Sequence, residues 1–158
     1  MAKHRTAGII YLSLFVIITL VIFVFAGLSG DISSSQSGWV ADILNSVLRF
    51  FSINLSGEQF DIFALVVRKV LGHFLIFLLD GVFGYLALLK LLKINRVWLG
   101  LSIATAAMFG VAGISELIQY FTSGRSANWG DVGIDVAGAL IGILIVFLIS
   151  SSANEKAK

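Results

Sequence analysis

The sequence predicts an all-α membrane protein, a four-transmembrane-helix bundle with an amphipathic interfacial helix in its first outer loop. Three observations carry this. The 158-residue chain is 58% hydrophobic and only 13% charged, where soluble domains are about a quarter charged. Its mean hydropathy is +1.00. Four apolar runs reach the roughly 20 residues that a helix needs to cross a bilayer. One membrane domain over residues 1–158 accounts for the length.

The first span covers about 7–28, "AGIIYLSLFVIITLVIFVFAGL". Lys3, His4 and Arg5 precede it, but its apolar run exceeds the roughly 7–15 residues of a signal-peptide core and no A-x-A site follows, so it reads as an anchor. The second span, about 66–92, carries Arg68, Lys69, His73 and Asp80. Ser56 and Gln59 upstream fit a capping box, so this helix starts outside the membrane and enters it near Val66. The third span, about 97–120, ends in Glu116 and Gln119; the fourth, about 132–150, follows Asp131 and holds Asp135 in its first turn. The chain has no proline and no cysteine. Helix breaks therefore fall to glycine or polar insertions, and disulfides and thiolate metal sites are excluded.

The stretch "SGDISSSQSGW" (29–39) reads as a solvated, serine-rich turn. Residues 39–51, "WVADILNSVLRFF", place Trp39, Ile43, Val47 and Phe51 at i, i+4 spacing, with Val40, Leu44 and Leu48 beside them and Asp42, Asn45 and Arg49 on the other side. That is an amphipathic helix, lying in the interface or packed on the bundle.

Lysine and arginine in short connections set orientation. Lys3 and Arg5, then Lys90, Lys93 and Arg96, then Lys156 and Lys158 mark one side; the first long loop holds Asp31, Asp42, Glu58 and Asp61 against Arg49. Both termini are expected to be cytoplasmic. The net charge of +2 is too scattered for a nucleic-acid footprint.

This topology brings Arg68, Lys69, His73, Glu116, Gln119, Arg125, Asp131 and Asp135 to one depth, in the outer third of the bundle. Glu116 and Gln119 share a face at i, i+3, as do Asp131, Asp135, Gly138 and Gly142. Gly138 and Gly142 form a G-x-x-x-G for close helix packing, and glycine-rich faces offer a route to a homo-oligomer. Ionisable groups inside a membrane cost about 2.5–3.5 kcal/mol each and mark functional sites by default. Three cations against three acids also suit a structural ion-pair network; the additional His73 and Gln119 favour a site. As a general base, His73 needs an orienting carboxylate, which Glu116 or Asp135 could supply; otherwise it simply hydrogen-bonds within the cluster. No metal is expected, because the three cations would repel a divalent ion, and no cofactor is expected. Asp80 lies near mid-membrane without a basic partner, facing Thr105, a glycine-lined gap or an oligomer contact.

Three segments together resemble the VanZ-like membrane proteins: "LVVRKVLGHF" (65–74), "SELIQYFTSGRSANWGDVGIDVAG" (115–138), and the loop residues Ser33, Gln36 and Ser37. Arg68, Lys69, His73, Phe74, Glu116, Gln119, Phe121, Gly124, Arg125, Asp131, Asp135 and Gly138 fill the pattern, and the resemblance spans almost the whole chain. It implies a bacterial cell-envelope protein, multi-pass in the cell membrane, linked to resistance to teicoplanin, a glycopeptide with a fatty-acyl tail; no reaction is firmly attached to the family. Ile76 and Phe77 stand where many members carry a Glu-Tyr pair, which removes a carboxylate from beside His73.

The leading reading is a non-catalytic amphiphile site at the outer leaflet. Arg68, Lys69 and Arg125 would hold a phosphate or carboxylate, with bidentate geometry available at the arginines. Glu116, Gln119, Asp131 and Asp135 would orient them, and the bundle wall with Trp39, Phe50 and Phe51 would take an acyl tail. Membrane lipid, lipid-linked wall precursor and lipid-tailed glycopeptide all fit as partners. The rival is an enzyme acting on a lipid head group with His73 as base or nucleophile, although no G-x-S-x-G, H-E-x-x-H or phosphate loop is present. A third reading is a structural bundle serving a partner protein.

Overall fold

The computed structural model describes residues 2–55, 57–92 and 97–155. Ser56 of the expected capping box and the orientation markers Lys93, Arg96, Lys156 and Lys158 lie outside the described residues, as do the side chains of Lys3 and His4. Among the described residues every regular element is helical, the arrangement that satisfies backbone polar groups within each segment when no water is at hand.

Helix α1 is Ala2–Ala26, α2 is Gly30–Phe50 and α3 is Glu58–Val67. A π-helical segment, Arg68–Leu75, runs on into α4, Ile76–Leu91; α5 is Val97–Tyr120 and α6 is Trp129–Glu155. Four helices are long and apolar enough to cross a membrane: Arg5–Ala26, Glu58–Leu91, Val97–Tyr120 and Trp129–Ser152. The chain is a multi-pass membrane protein of helical bundle type.

One boundary differs from expectation. The serine-rich stretch is not a turn. α2 begins at Gly30, nine residues before Trp39, and within this stretch Ser37 returns its hydroxyl to the Ser33 carbonyl at 3.0 Å, a local bond that a helix accommodates. The second spanning helix starts at Glu58, ahead of Val66 as expected, and its 34 residues reach about 50 Å at 1.5 Å per residue. Its first turns therefore project beyond an apolar core of about 30 Å and pack against α2. Helix α2 turns Trp39, Ile43, Val47 and Phe50 outward, with Trp39 68% and Phe50 84% exposed, as an interfacial helix does. Asn45 corrects the polar-face reading: it is buried and its Nδ2 donates to the Leu55 carbonyl at 3.3 Å, tying α2 to the loop that follows it.

At the centre, α4 packs against α1, α5 and α6 around Phe77, Tyr85, Met108, Ala112, Ala139 and Ile143. The expected close approach at the fourth helix is present and lies within the chain. A Cβ on Gly138 would land on the Phe74 carbonyl, and one on Gly142 on the Leu78 carbonyl. Contacts advance by four residues on each partner, so the two helices run parallel and in step. Asp80 is fully buried between helices, and its partner is Thr19 of α1, whose hydroxyl donates at 3.0 Å. Neither Thr105 nor an oligomer contact fills that role.

Gly138→Ala and Gly142→Ala should therefore each destabilise the bundle by about 1–3 kcal/mol, the usual penalty for overpacking. Gly133→Ala, on the same helix with nothing within 4 Å of its added Cβ, should be neutral or slightly stabilising. Thermal unfolding in detergent separates the three.

Candidate functional site

The polar residues gather at the end of the bundle that carries the short α5–α6 connection. Three backbone features build it. The π-helical segment is wider than an α-helix, and such turns recur at functional sites; here it brings Arg68, Lys69 and His73 together onto the wall of one cavity. Gly124, at φ +70°, makes the turn after α5, where a residue with a Cβ would be strained. Gly30 packs directly on Gly124, leaving no room for a Cβ, and its N–H donates to the Ser123 carbonyl at 3.0 Å. The start of α2 is thereby docked on the α5–α6 hairpin.

Asn128 orders the start of α6. Its side-chain Oδ1 accepts from the Gly130 N–H at 2.8 Å, and its carbonyl accepts from Asp131 and Val132. Its own N–H donates to Glu116 Oε2 at 2.8 Å. Glu116 Oε1 accepts from Gln119 Nε2 at 2.6 Å, so the i, i+3 pair on α5 meets as its spacing indicated.

All eight residues singled out from the sequence lie at this end, but their pairing is uneven. Lys69 forms an ion pair with Asp131. His73 Nδ1 lies 2.9 Å from Asp135 Oδ1. Arg125 Nη1 donates to the Ser33 hydroxyl, and Arg125 Nε is buried without a partner among the described residues. Among the described residues neither Arg68 nor Arg125 has a carboxylate within ion-pair distance. A balanced network of three cations and three acids is therefore not what forms. Burial holds the Arg125 guanidinium below its ordinary pKa; the charge of Arg68 adds to this, while Glu116 and Asp131 oppose it. It remains a permanent cation.

Two cavities meet here. A polar one of about 290 Å³ is lined by Lys69, Gln119, Ser126, Asn128 and Asp131. A larger one of about 590 Å³ is lined mainly by Phe25, Trp39, Val40, Val67 and Leu71, with Ser33, Gln36 and Ser37 at its edge. Arg68, His73 and Arg125 line both. Phe50 and Phe51, expected to contribute to an acyl site, are exposed and line neither. Ser33 was visible only through the weak loop motif, and Asn128 carried no sequence signal beyond its place before the fourth helix.

A family model described as VanZ/LLP1 matches residues 9–150. Among curated proteins and among solved structures no match was found.

The Lys69–Asp131 pair is partly accessible, with side chains 30% and 17% exposed, so screening tempers it. Lys69→Met and Asp131→Leu should each cost about 1–2 kcal/mol, with the double variant losing less than the sum. A double-mutant cycle by thermal unfolding reads the coupling.

Proposed function

The chain belongs to the VanZ/LLP1 family, and on that premise we propose that it binds an anionic amphiphile at the outer leaflet of a bacterial cell membrane. The head group sits between Arg68 and Arg125, and the tail runs along the larger cavity. One observation carries this reading. Arg125, whose charge Arg68 disfavours, and Arg68 itself stand without an ion-paired carboxylate among the described residues, on the wall shared by a polar and an apolar cavity. An arrangement that serves stability alone pairs such charges, because an uncompensated, partly buried cation is costly. A phosphate or carboxylate between them relieves the repulsion and accepts planar, bidentate hydrogen bonds. The unpartnered Arg125 Nε is a donor available to it. Lys69, tied to Asp131, positions the site more than it grips the ligand.

Membrane phospholipid, lipid-linked wall precursor and acyl-tailed glycopeptide share this chemistry, and low-level teicoplanin-type resistance would follow if the third is the ligand. The His73–Asp135 contact also supports a second reading, in which an oriented imidazole acts as a base on the head group. Both termini are cytoplasmic in this reading, which places the hairpin end outside.

The test is binding by detergent-purified protein of phosphatidylglycerol against phosphatidylcholine, alongside growth inhibition by glycopeptides with and without an acyl tail. Arg68→Gln and Arg125→Gln should each weaken anionic-lipid binding about tenfold, or about 1.4 kcal/mol, with His73→Gln binding as wild type does. Equal affinity for both lipids, unchanged by either arginine substitution, would refute the reading. Loss of turnover in His73→Gln with binding intact would favour the enzyme.

A further inference from the structure

We propose that His73, Glu116 and Asp135 form a divalent-cation site suited to zinc. Each residue comes from a different helical segment: the π-helical stretch, α5 and α6. One ligand atom from each lies within 4.8 Å of the others, and His73 Nδ1 and Asp135 Oδ1 are already 2.9 Å apart. A four-coordinate zinc with bonds of about 2 Å takes nitrogen and oxygen ligands in such a set.

Charge supplies the second argument. Glu116 is 5% exposed and Asp135 is fully buried, so two carboxylates face each other out of water, where their charges repel. No lysine or arginine among the described residues makes an ion-pair contact with either. Lys69 is taken by Asp131, and Arg68 and Arg125 lie on the cavity walls. Among the described residues the sole ion-pair contact to either acid is from His73, an imidazole that carries charge only when protonated. Of the three cations expected to repel a metal, Lys69 is offset by Asp131, and a doubly charged ion offsets both carboxylates at once.

Two further observations point to a ligand. Asp135 Oδ2 is buried and has no hydrogen-bond partner among the described residues, an orphan that native interiors seldom leave. Glu116 is held from behind by Gln119 Nε2 and the Asn128 N–H, the kind of outer support that fixes a metal-binding carboxylate. Three protein ligands leave one coordination position open. His73 lines both cavities beside Arg68 and Arg125, so an anionic head group is the natural fourth ligand; that last step alone rests on the proposed amphiphile site. In the metal-bound protein His73 Nδ1 is a ligand and its role as a base through Asp135 is displaced.

The experiment strips full-length, detergent-purified protein with a chelator, titrates zinc against a competing fluorescent chelator, and measures retained metal by mass spectrometry after desalting. Wild type should hold about one zinc per chain. His73→Gln and Asp135→Asn should bind at least about tenfold more weakly, while Asp42→Asn, on the exposed face of α2, should match wild type. Wild type that retains no more zinc than His73→Gln overturns the site, as does stoichiometric zinc that both substitutions leave unchanged. Should Asp135→Asn fail to fold, wild-type uptake and His73→Gln still decide. Lipid binding by the arginine variants is measured on metal-free protein, so failure of one proposal is distinct from failure of the other.

Discussion

The contact between Gly138 and the Phe74 carbonyl sets where the polar chemistry of this protein ends up. With no side chain on Gly138, the backbones of two helices touch, and the register this imposes is repeated along their length. Lys69 meets Asp131, His73 meets Asp135, Phe74 meets Gly138 and Leu78 meets Gly142. A helix pair in lipid gains nothing from hiding apolar surface, so close packing and interhelical polar contacts must hold it. Here both come from the same parallel face. Two glycines provide the approach, and two polar pairs lie one turn apart at the end of it.

That register leaves charges over. Four of the polar residues are consumed by the ladder, and Glu116 is held by Gln119 and Asn128. Among the described residues Arg68 and Arg125 remain without ion-paired carboxylates, and the Asp135 Oδ2 remains without a donor. Surplus positive charge lies on the cavity wall and surplus negative charge sits deeper, around His73. An anionic head group and a metal ion answer these two deficits separately. In the proposed reading their adjacency, with His73 and both arginines on the same two cavities, would make the hairpin end one site with two components.

The spans were legible because hydropathy over 20 or more residues is a strong signal, and Val97–Tyr120 coincides with the apolar run that indicates it. Membership of the cluster was legible too, since ionisable residues are rare in such segments and topology brings them to one depth. Pairing was not. Charge counting makes three cations and three acids look mutually satisfied, whereas Arg68 meets no carboxylate at ion-pair distance among the described residues, and Ser33 takes the Arg125 hydrogen bond. The early start of α2 was hidden because serine, glycine and aspartate read as turn formers without neighbours. Asn45 was hidden because a buried asparagine and a solvent-facing one have the same spacing. The partner of Asp80 lay 61 residues away, on α1, beyond any local pattern.

The most direct measurement is a crystal structure of the protein grown from a mesophase of native bacterial lipid. The expected result is an amphiphile whose anionic end lies between Arg68 and Arg125 and whose chain follows Phe25, Val40, Val67 and Leu71. Arg68 and Arg125 turned onto Glu116 or Asp131 as simple ion pairs, with only water in both cavities, would contradict it.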